Sequence, residues 1–250
     1  MLPEKPATEP RRKWHLLRWA FVVFVVGFGW GGWRHYDFQK AVKDAEERGW
    51  RFYYNDPNAI IGKDWRAAFR KETWSDTRRE LHIPTKTILE RDFELVRRLT
   101  PKGLVINGTF PWRDLSQLKG LSNLTVLVFG DCPNLSNIDA LKDMKELTML
   151  GINGSPILVN TDPIKELQNL EHLGLSGCTA LTNVDALREL KALKLLNLSV
   201  CTGLKNVDGL RGLKGLQELI LEGCTGLTKE AVEALKAALP NTIVAGDYDK

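Results

Sequence analysis

The 250-residue chain is poor in the residues from which metal and redox sites are built. It has four cysteines and four histidines, no C-x-x-C pair, and intervals of 46, 23 and 23 residues between successive cysteines. Zinc sites need cysteine or histidine ligands in closely spaced pairs, and a cysteine nucleophile needs a neighbouring base. The sequence therefore predicts no metal site, no cofactor and no catalytic activity.

Phosphate-binding and nucleic-acid-binding signals are also missing. The chain contains neither a G-x-x-x-x-G-K-[ST] motif nor an H-E-x-x-H motif. Its net charge of +4 comes from 35 basic and 31 acidic residues that are spread along the sequence. Nucleic-acid-binding domains concentrate basic charge on one surface, so we expect no nucleic-acid partner.

One long apolar run does occur, from Trp19 to Trp33, and it contains no charged residue. Fifteen helical residues span about 22 Å, less than the roughly 30 Å hydrocarbon core of a bilayer. Extension back to Trp14 gives twenty residues, because Arg18 can direct its charge toward the lipid headgroups. Tryptophans at both ends suit the membrane interfaces. The pattern predicts a single transmembrane signal-anchor helix over residues 14–33.

The flanking charges predict the orientation of this helix. Residues 1–18 hold five basic and two acidic residues, so the positive-inside rule places the tail, residues 1–13, in the cytoplasm. The rest of the chain would then lie on the non-cytoplasmic side, periplasmic or extracellular. A cleaved signal peptide and a buried or interfacial helix are the alternatives, although no A-x-A cleavage pattern is present. Gly27 and Gly31 form a G-x-x-x-G pair that could let two such helices associate.

Leucine recurs every 23 residues over two thirds of the chain. The first residue of an L-x-L/I core is leucine seven times, at Leu81, Leu104, Leu127, Leu150, Leu173, Leu196 and Leu219. The residue two positions later is always apolar, and further apolar residues at three-residue spacing precede the later cores. A fixed period of this length is the signature of a repeat architecture.

The stretch LEHLGLSGCTAL, residues 170–181, carries the consensus L-x-x-L-x-L-x-x-N/C-x-L, and the chain resembles the leucine-rich repeat family over residues 80–246. The resemblance implies an α/β fold, a right-handed solenoid with a concave parallel β-sheet and short helical or 3₁₀ turns on the convex side. A single repeat cannot bury its own leucines, whereas stacked repeats form one continuous core. The residues after the apolar run also resemble the juxtamembrane part of bacterial membrane-anchored repeat proteins.

The segments outside the repeats differ in pattern. Residues 34–79 are rich in aromatics and predict an α-β-α cap or linker, with a strand at 51–54 and a second helix at 63–74; a small ligand-binding module is the alternative. The repeats are assigned to residues 80–227. Residues 228–250 predict a C-terminal cap, with an amphipathic helix capped by Thr228 and a last strand.

Three polar residue types recur with the leucines. Cys132, Cys178, Cys201 and Cys224 lie five residues after a leading leucine, and Ser155 fills the same place. We expect buried, reduced thiols, while a Cys178–Cys201 or Cys201–Cys224 disulfide remains open. Asparagines at 137, 160, 183 and 206 should bond turn backbone, and aspartates at 139, 162, 185 and 208 should be helix N-caps, with Pro163 in the first helical position.

In leucine-rich repeat proteins the concave strand face commonly binds partners. The outward positions beside the core leucines are Val126, Val128, Met149, Gly151, His172, Gly174, Leu195, Asn197, Glu218 and Ile220. This strip is more apolar than a solvated face needs to be, so it predicts a protein-binding surface. Coverage by the cap or linker, or β-propensity alone, would also explain it. The sequence thus predicts a membrane-anchored protein that binds another protein, or alternatively an accessory or assembly subunit of a larger membrane complex.

Overall fold

The structure, a computed structural model, describes residues 40–54, 79–83 and 88–247. The predicted transmembrane helix at 14–33 and the predicted second cap helix at 63–74 lie outside these residues. Within the described part of the chain, none of the helices has the length and apolar character needed to cross a membrane. The chain divides into two units, Met1–Asp44 and Ala45–Lys250, and the repeats belong to the second.

Residues 40–47 are helical. The helix ends in a turn in which the amides of Arg48 and Trp50 both donate to the carbonyl of Ala45, at 3.1 and 3.0 Å. Gly49 has φ +74°, a left-handed conformation that glycine adopts without steric cost. The turn leads directly into the first strand and buries Trp50, which is 3% exposed.

The second unit is built on one nine-stranded sheet whose strands lie in chain order. The strands are β1 Arg51–Tyr54, β2 Arg79–Ile83, β3 Gly103–Thr109, β4 Val126–Asp131, β5 Met149–Ile152, β6 His172–Gly174, β7 Leu195–Asn197, β8 Glu218–Ile220 and β9 Ile243–Ala245. Strand β1 pairs with β2 antiparallel, and every other neighbouring pair is parallel.

The register of the sheet reproduces the leucine period. Leu127 pairs with Leu150, Leu150 with Leu173, and Leu173 with Leu196, and the same pairing extends to Leu81 and Leu219 at the two ends. These leucines are at most 1% exposed. Each leucine therefore buries its side chain against the equivalent leucine of the next repeat, which confirms the predicted parallel solenoid sheet.

Among the residues that the structure describes, five 3₁₀ helices lie between consecutive parallel strands, as the family resemblance implies. They are Ser116–Leu118, Asp139–Asp143, Asp162–Glu166, Asp185–Glu189 and Asp208–Leu210. The leucines that precede each strand point inward from this side; for example, Leu187, Leu190 and Leu193 are at most 1% exposed. The core therefore lies between the sheet and the row of 3₁₀ helices.

The prediction that the recurring aspartates cap these helices is wrong. Each aspartate is the first residue of its helix, and in the four helices the cap residue makes no side-chain hydrogen bond. The asparagine two residues earlier accepts from the aspartate amide instead; Asn206 Oδ1 lies 2.7 Å from Asp208 N. Asp208 pairs with Arg211 at 2.7 Å. Pro163 is the second residue of its helix, not the first.

The same hydrogen bond occurs in all four repeats. The other three pairs are Asn137 with Asp139, Asn160 with Asp162, and Asn183 with Asp185, at 2.8, 2.9 and 3.3 Å. This confirms that the asparagine row bonds turn backbone. Asparagine is well suited to the task because its short side chain reaches a backbone amide two residues ahead.

Two α-helices flank the central repeats. Helix α1, Asp92–Leu99, lies between β2 and β3 and was not predicted. The carboxylate of its first residue, Asp92, accepts from the Leu89 amide at 2.8 Å and pairs with Arg48. Helix α2, Lys229–Ala238, begins after Thr228, whose hydroxyl accepts from the Ala231 amide at 3.2 Å.

Four aromatic rings form a chain of contacts from α1 to β4. Phe110 lies 4.9 Å from Trp112 and 4.5 Å from Phe129, and Phe93 of α1 lies 5.5 Å from Trp112, measured between ring centroids. Edge-on and tilted aromatic contacts of this kind stabilise beyond the area that they bury. The first repeat thus closes its core with rings where the later repeats use leucine.

Candidate functional site

Two rows of side chains cover the sheet face opposite the leucine core, which we call the open face. The first row comprises Val126, Met149, His172, Leu195, Glu218 and Ile243, which pair in register from β4 to β9. The second row comprises Val128, Gly151, Gly174, Asn197, Ile220 and Ala245. The ten outward positions predicted from the sequence are therefore brought together on one face of one sheet.

The open face is accessible and largely uncharged. Met149 is 36% exposed and Ile243 is 72% exposed, while Val126, Val128 and Leu195 are half-buried. Neighbouring strands lie about 4.8 Å apart, so these side chains line one strip of the sheet, which His172 and Glu218 interrupt. Exposed apolar surface that is rimmed by polar groups is typical of interaction sites.

Two glycines interrupt the second row. A Cβ placed on Gly151 would lie 3.0 Å from a methyl group of Val128, and one placed on Gly174 would lie 3.4 Å from Oδ1 of Asn153. Gly151 is buried, whereas Gly174 is half-buried. The second row therefore has no side chain on β5 and β6, and the side chains of Val128 and Asn153 lie close to these two glycines.

Amide and hydroxyl groups border the strip at the carboxyl ends of the strands, a feature that was not predicted. Asn153 donates to the carbonyl of Phe129 at 3.2 Å, and the hydroxyls of Ser176 and Ser199 lie 2.8 Å apart. The side-chain oxygen of Asn197 accepts from the Ser199 amide at 2.9 Å, which holds its carboxamide in place. The border is polar but ordered by its own hydrogen bonds.

A row of left-handed residues follows this border. Gly154, Gly177 and Gly223 have φ between +60° and +75°, and Val200 occupies the equivalent position with φ +60°. A β-branched residue is strained in this conformation, yet the Val200 side chain is 49% exposed. The recurrence of glycine at 154, 177 and 223 in the sequence was the signal that could have identified this row.

The backbone of this row is hydrogen-bonded from one repeat to the next. The amide of Gly177 donates to the carbonyl of Ser199 at 2.8 Å, and that of Val200 to the carbonyl of Glu222 at 2.7 Å. After the last repeat, the amide of Gly223 donates instead to the carboxylate of Asp247 at 3.0 Å. The Asp247 side chain therefore takes the place that a backbone carbonyl holds in the internal repeats.

The four cysteines form no reactive site. All are free thiols, at most 1% exposed. The thiols of Cys178, Cys201 and Cys224 donate to carbonyl oxygens of the preceding repeat at 3.5, 3.2 and 3.0 Å. Burial raises the pKa of Cys132 and of Cys201 to about 12 and that of Cys178 to about 11. The predicted arrangement of buried, reduced thiols is confirmed, without the alternative disulfides.

A small cavity of about 210 Å³ lies beside α1. Its lining consists of Glu90, Arg91, Glu94, Arg97, Ser116 and Gln117. Arg97 donates to Glu94 at 2.7 Å and to the carbonyl of Gln117 at 2.9 Å, so its charge is already compensated. Among the residues that the structure describes, no group of three or more His, Cys, Asp or Glu side chains could hold a metal ion. The open face is therefore the candidate site.

Solved structures similar to this chain include three leucine-rich repeat proteins. An internalin (inlF) from Listeria monocytogenes is 20% identical with a TM-score of 0.49, over 62% of this chain and 50% of its own. A leucine-rich repeat protein from Leptospira interrogans is 20% identical with a TM-score of 0.42, over 64% and 51%. The leucine-rich repeat domain of the type III effector XopL is 18% identical with a TM-score of 0.44, over 99% of both chains.

The chain thus spans about half the length of the internalin and of the Leptospira protein. No family model matches the sequence, and no curated protein matches it. Its assignment rests on its own residues: a 23-residue consensus, eight parallel strands paired one repeat apart, and a buried cysteine or serine at each corner. By these features the chain has the fold of a leucine-rich repeat solenoid.

Proposed function

We propose that this protein is non-catalytic and binds another protein through the open face of its sheet. The observation that supports this most strongly is the set of half-buried and exposed apolar side chains on the open face from β4 to β9, of which Met149 and Ile243 are the most exposed. The strip lies on hydrogen-bonded strands, so little conformational entropy is lost when a partner binds to it. The buried core of a protein interface is more apolar than the rest of the surface, and these side chains are suited to form such a core.

Substitution of open-face residues by lysine tests this proposal. Val128→Lys and Met149→Lys should each weaken binding at least roughly tenfold, because an uncompensated charge against an apolar partner costs more than about 1.4 kcal/mol. Val159→Lys is the matched control, since Val159 is also apolar and 63% exposed but lies outside the open face. The measurement is quantitative co-purification of the full-length protein from detergent extracts.

The outcomes separate the two predicted roles. Loss of the co-purifying protein from both open-face variants, but not from Val159→Lys, supports binding through the open face. Retention of the same protein by Val128→Lys and Met149→Lys contradicts it. A partner present in equal amounts with the wild-type chain indicates an accessory subunit of a stable complex, whereas a substoichiometric partner indicates recognition.

We further propose that residues 14–33 anchor the protein in a membrane, with the repeats on the non-cytoplasmic side. Support comes from the apolar run, its tryptophans and the basic residues that precede it. Carbonate extraction of membranes should leave the full-length chain in the pellet, and deletion of residues 14–33 should release it. Recovery of the full-length chain in the supernatant would refute the anchor.

A further inference from the structure

Val200 differs from the other members of the left-handed row that follows the polar border of the open face. The equivalent residues of the neighbouring repeats are Gly154, Gly177 and Gly223, with φ between +60° and +75°. Val200 has φ +60° and is 49% exposed. A β-branched side chain is strained in this conformation, which glycine adopts freely. One repeat therefore carries a strained, half-exposed apolar side chain at a position where these three have none.

The geometry of the turn does not require this valine. The amide of Val200 donates to the carbonyl of Glu222 at 2.7 Å, and that of Gly177 donates to the carbonyl of Ser199 at 2.8 Å. The same backbone bond is thus made with or without a side chain. Among the residues that the structure describes, the other non-glycine residue with positive φ is Thr100, which ends helix α1, where a left-handed residue is common. Val200 ends no helix, so its conformation has no such explanation.

The Val200 side chain projects alone from its part of the row. Gly177 and Gly223 flank it without side chains, and a methyl group of Val200 lies 3.5 Å from the position that a Cβ would take on Gly223. The backbone around it is ordered, since the side-chain oxygen of Asn197 accepts from the Ser199 amide at 2.9 Å. Residues held in strained conformations by well-ordered surroundings are concentrated at active sites and ligand-binding sites. The exposed half of this side chain is therefore a candidate contact.

Val200 lies within reach of a partner on the open face. It follows Asn197, an open-face residue, by three positions, a separation of at most about 10 Å. A protein interface buries about 800 Å² on each partner, which corresponds to a patch roughly 30 Å wide. The strands from β4 to β9 extend over about 24 Å. A partner that covers the open face therefore also reaches Val200.

We propose that Val200 is a contact residue for the protein that binds the open face. The partner extends beyond the carboxyl ends of β6 to β8 and places apolar side chains against Val200, which buries the exposed half of the valine. Glycine at this position would make the free protein more stable and the complex weaker. The inference rests on the proposed function, because it assigns one further residue to the same interface.

Substitution of Val200 tests this contact. The probe is the protein that co-purifies with the full-length wild-type chain and is lost from Val128→Lys and Met149→Lys. Mass spectrometry identifies it, and its purified, labelled form is titrated with each full-length variant in detergent micelles. Val200→Asn should bind it roughly fivefold more weakly, because an apolar contact is lost while asparagine tolerates the left-handed conformation. Val200→Leu, which remains apolar, should bind within about twofold of the wild type.

Two further variants separate binding from stability. Val200→Gly should melt at a higher temperature than the wild type, because the strain is relieved, yet bind as weakly as Val200→Asn. A purely structural role of the valine would not lower the affinity while raising the stability. Val159→Asn is the matched control, since it makes the same change at an exposed valine that lies outside the open face. It should bind as the wild type does.

The outcomes bear on different statements. If no protein co-purifies with the wild type in a way that depends on Val128 and Met149, the proposed function fails and this inference fails with it. If such a protein binds Val200→Asn and Val200→Gly as tightly as the wild type, only the contact at Val200 is overturned. Equal weakening by Val159→Asn, or by Val200→Leu, would also overturn the contact. Thermal melting verifies that each variant folds, and Val200→Gly replaces Val200→Asn if the asparagine variant does not fold.

Discussion

The thiol of Cys201 donates a hydrogen bond to the carbonyl oxygen of Leu175, 3.2 Å away in the preceding repeat. The same bond recurs one repeat later, from Cys224 to Leu198 at 3.0 Å. A thiol that donates to a buried carbonyl must keep its proton, and burial raises the pKa of Cys201 to about 12. Because the thiolate is the reactive form, this row of cysteines is chemically inert while the protein is folded.

Thiol labelling should therefore report unfolding. In the native protein at neutral pH, a maleimide should modify none of the four cysteines over hours, and in denaturant it should modify all four without a reducing agent. Mass spectrometry counts the adducts. Rapid modification of the folded protein, or fewer than four adducts after denaturation of an unreduced sample, would contradict the buried-thiol arrangement.

Stability should fall in alkaline solution because of these thiols. The pKa of Cys201 is raised from the ordinary 9.0 to about 12, so the folded state retains a proton that the unfolded state releases above pH 9. The contribution is complete below pH 9 and is lost between pH 9 and 12, at up to about 1.4 kcal/mol per pH unit for each thiol. Urea denaturation at several pH values measures the slope.

Cys201→Ala isolates this contribution from that of lysine and tyrosine, which also titrate in this range. The variant should be less stable than the wild type at pH 8, since it removes a buried group, but its stability should fall less steeply above pH 9. Equal slopes for the two proteins would mean that the Cys201 thiol does not control the alkaline loss of stability.

Val200 is the residue at which a substitution should stabilise the protein. Its φ of +60° strains a β-branched side chain by about 1–2 kcal/mol. Val200→Gly relieves the strain at some cost in the entropy of the unfolded chain, with a net gain of about 0.5–1 kcal/mol expected. The matched change Gly177→Val introduces the same strain and should destabilise by about 1–2 kcal/mol. The urea unfolding midpoints of both variants are compared with that of the wild type. If Val200→Gly is less stable than the wild type, the contacts of the valine side chain outweigh the backbone strain.

The asparagine and aspartate rows should differ in their effect on stability. Asn206→Ala removes the acceptor of the Asp208 amide and should cost about 1 kcal/mol, as loss of a cap does. Asp208→Ala removes a surface ion pair with Arg211 and should cost less than about 0.5 kcal/mol. The double variant tests whether the two effects are additive. A larger loss of stability from Asp208→Ala than from Asn206→Ala would contradict the assignment of the turn hydrogen bond to the asparagine.

The solenoid sheet could be predicted from the sequence because the same constraint acts in every repeat. Leu81 to Leu219 each bury the same position, so a single pattern occurs seven times and the register follows from the interval. The first repeat was harder to interpret. Helix α1 lies where the consensus is interrupted, and only the spacing of Phe93, Val96 and Leu99 marks its buried face.

A period alone does not distinguish residues that recur together. The asparagines and aspartates share the 23-residue interval, and both types are good caps, so only the hydrogen bonds show which one contacts the turn amide. The open-face residues could be predicted because strand side chains alternate between the two faces. The packing of the Val128 and Asn153 side chains against Gly151 and Gly174 could not be predicted, because no sequence pattern specifies their orientations.

The two edges of the sheet differ from its interior. At one edge β1 runs antiparallel to the repeats, and at the other the Asp247 carboxylate replaces a backbone acceptor. A repeat added outside either edge would find no matching register, whereas a 23-residue unit duplicated between β5 and β6 would meet equivalent leucines on both sides. The open face can therefore lengthen or shorten during evolution by gain or loss of internal units, while both edges of the sheet stay unchanged.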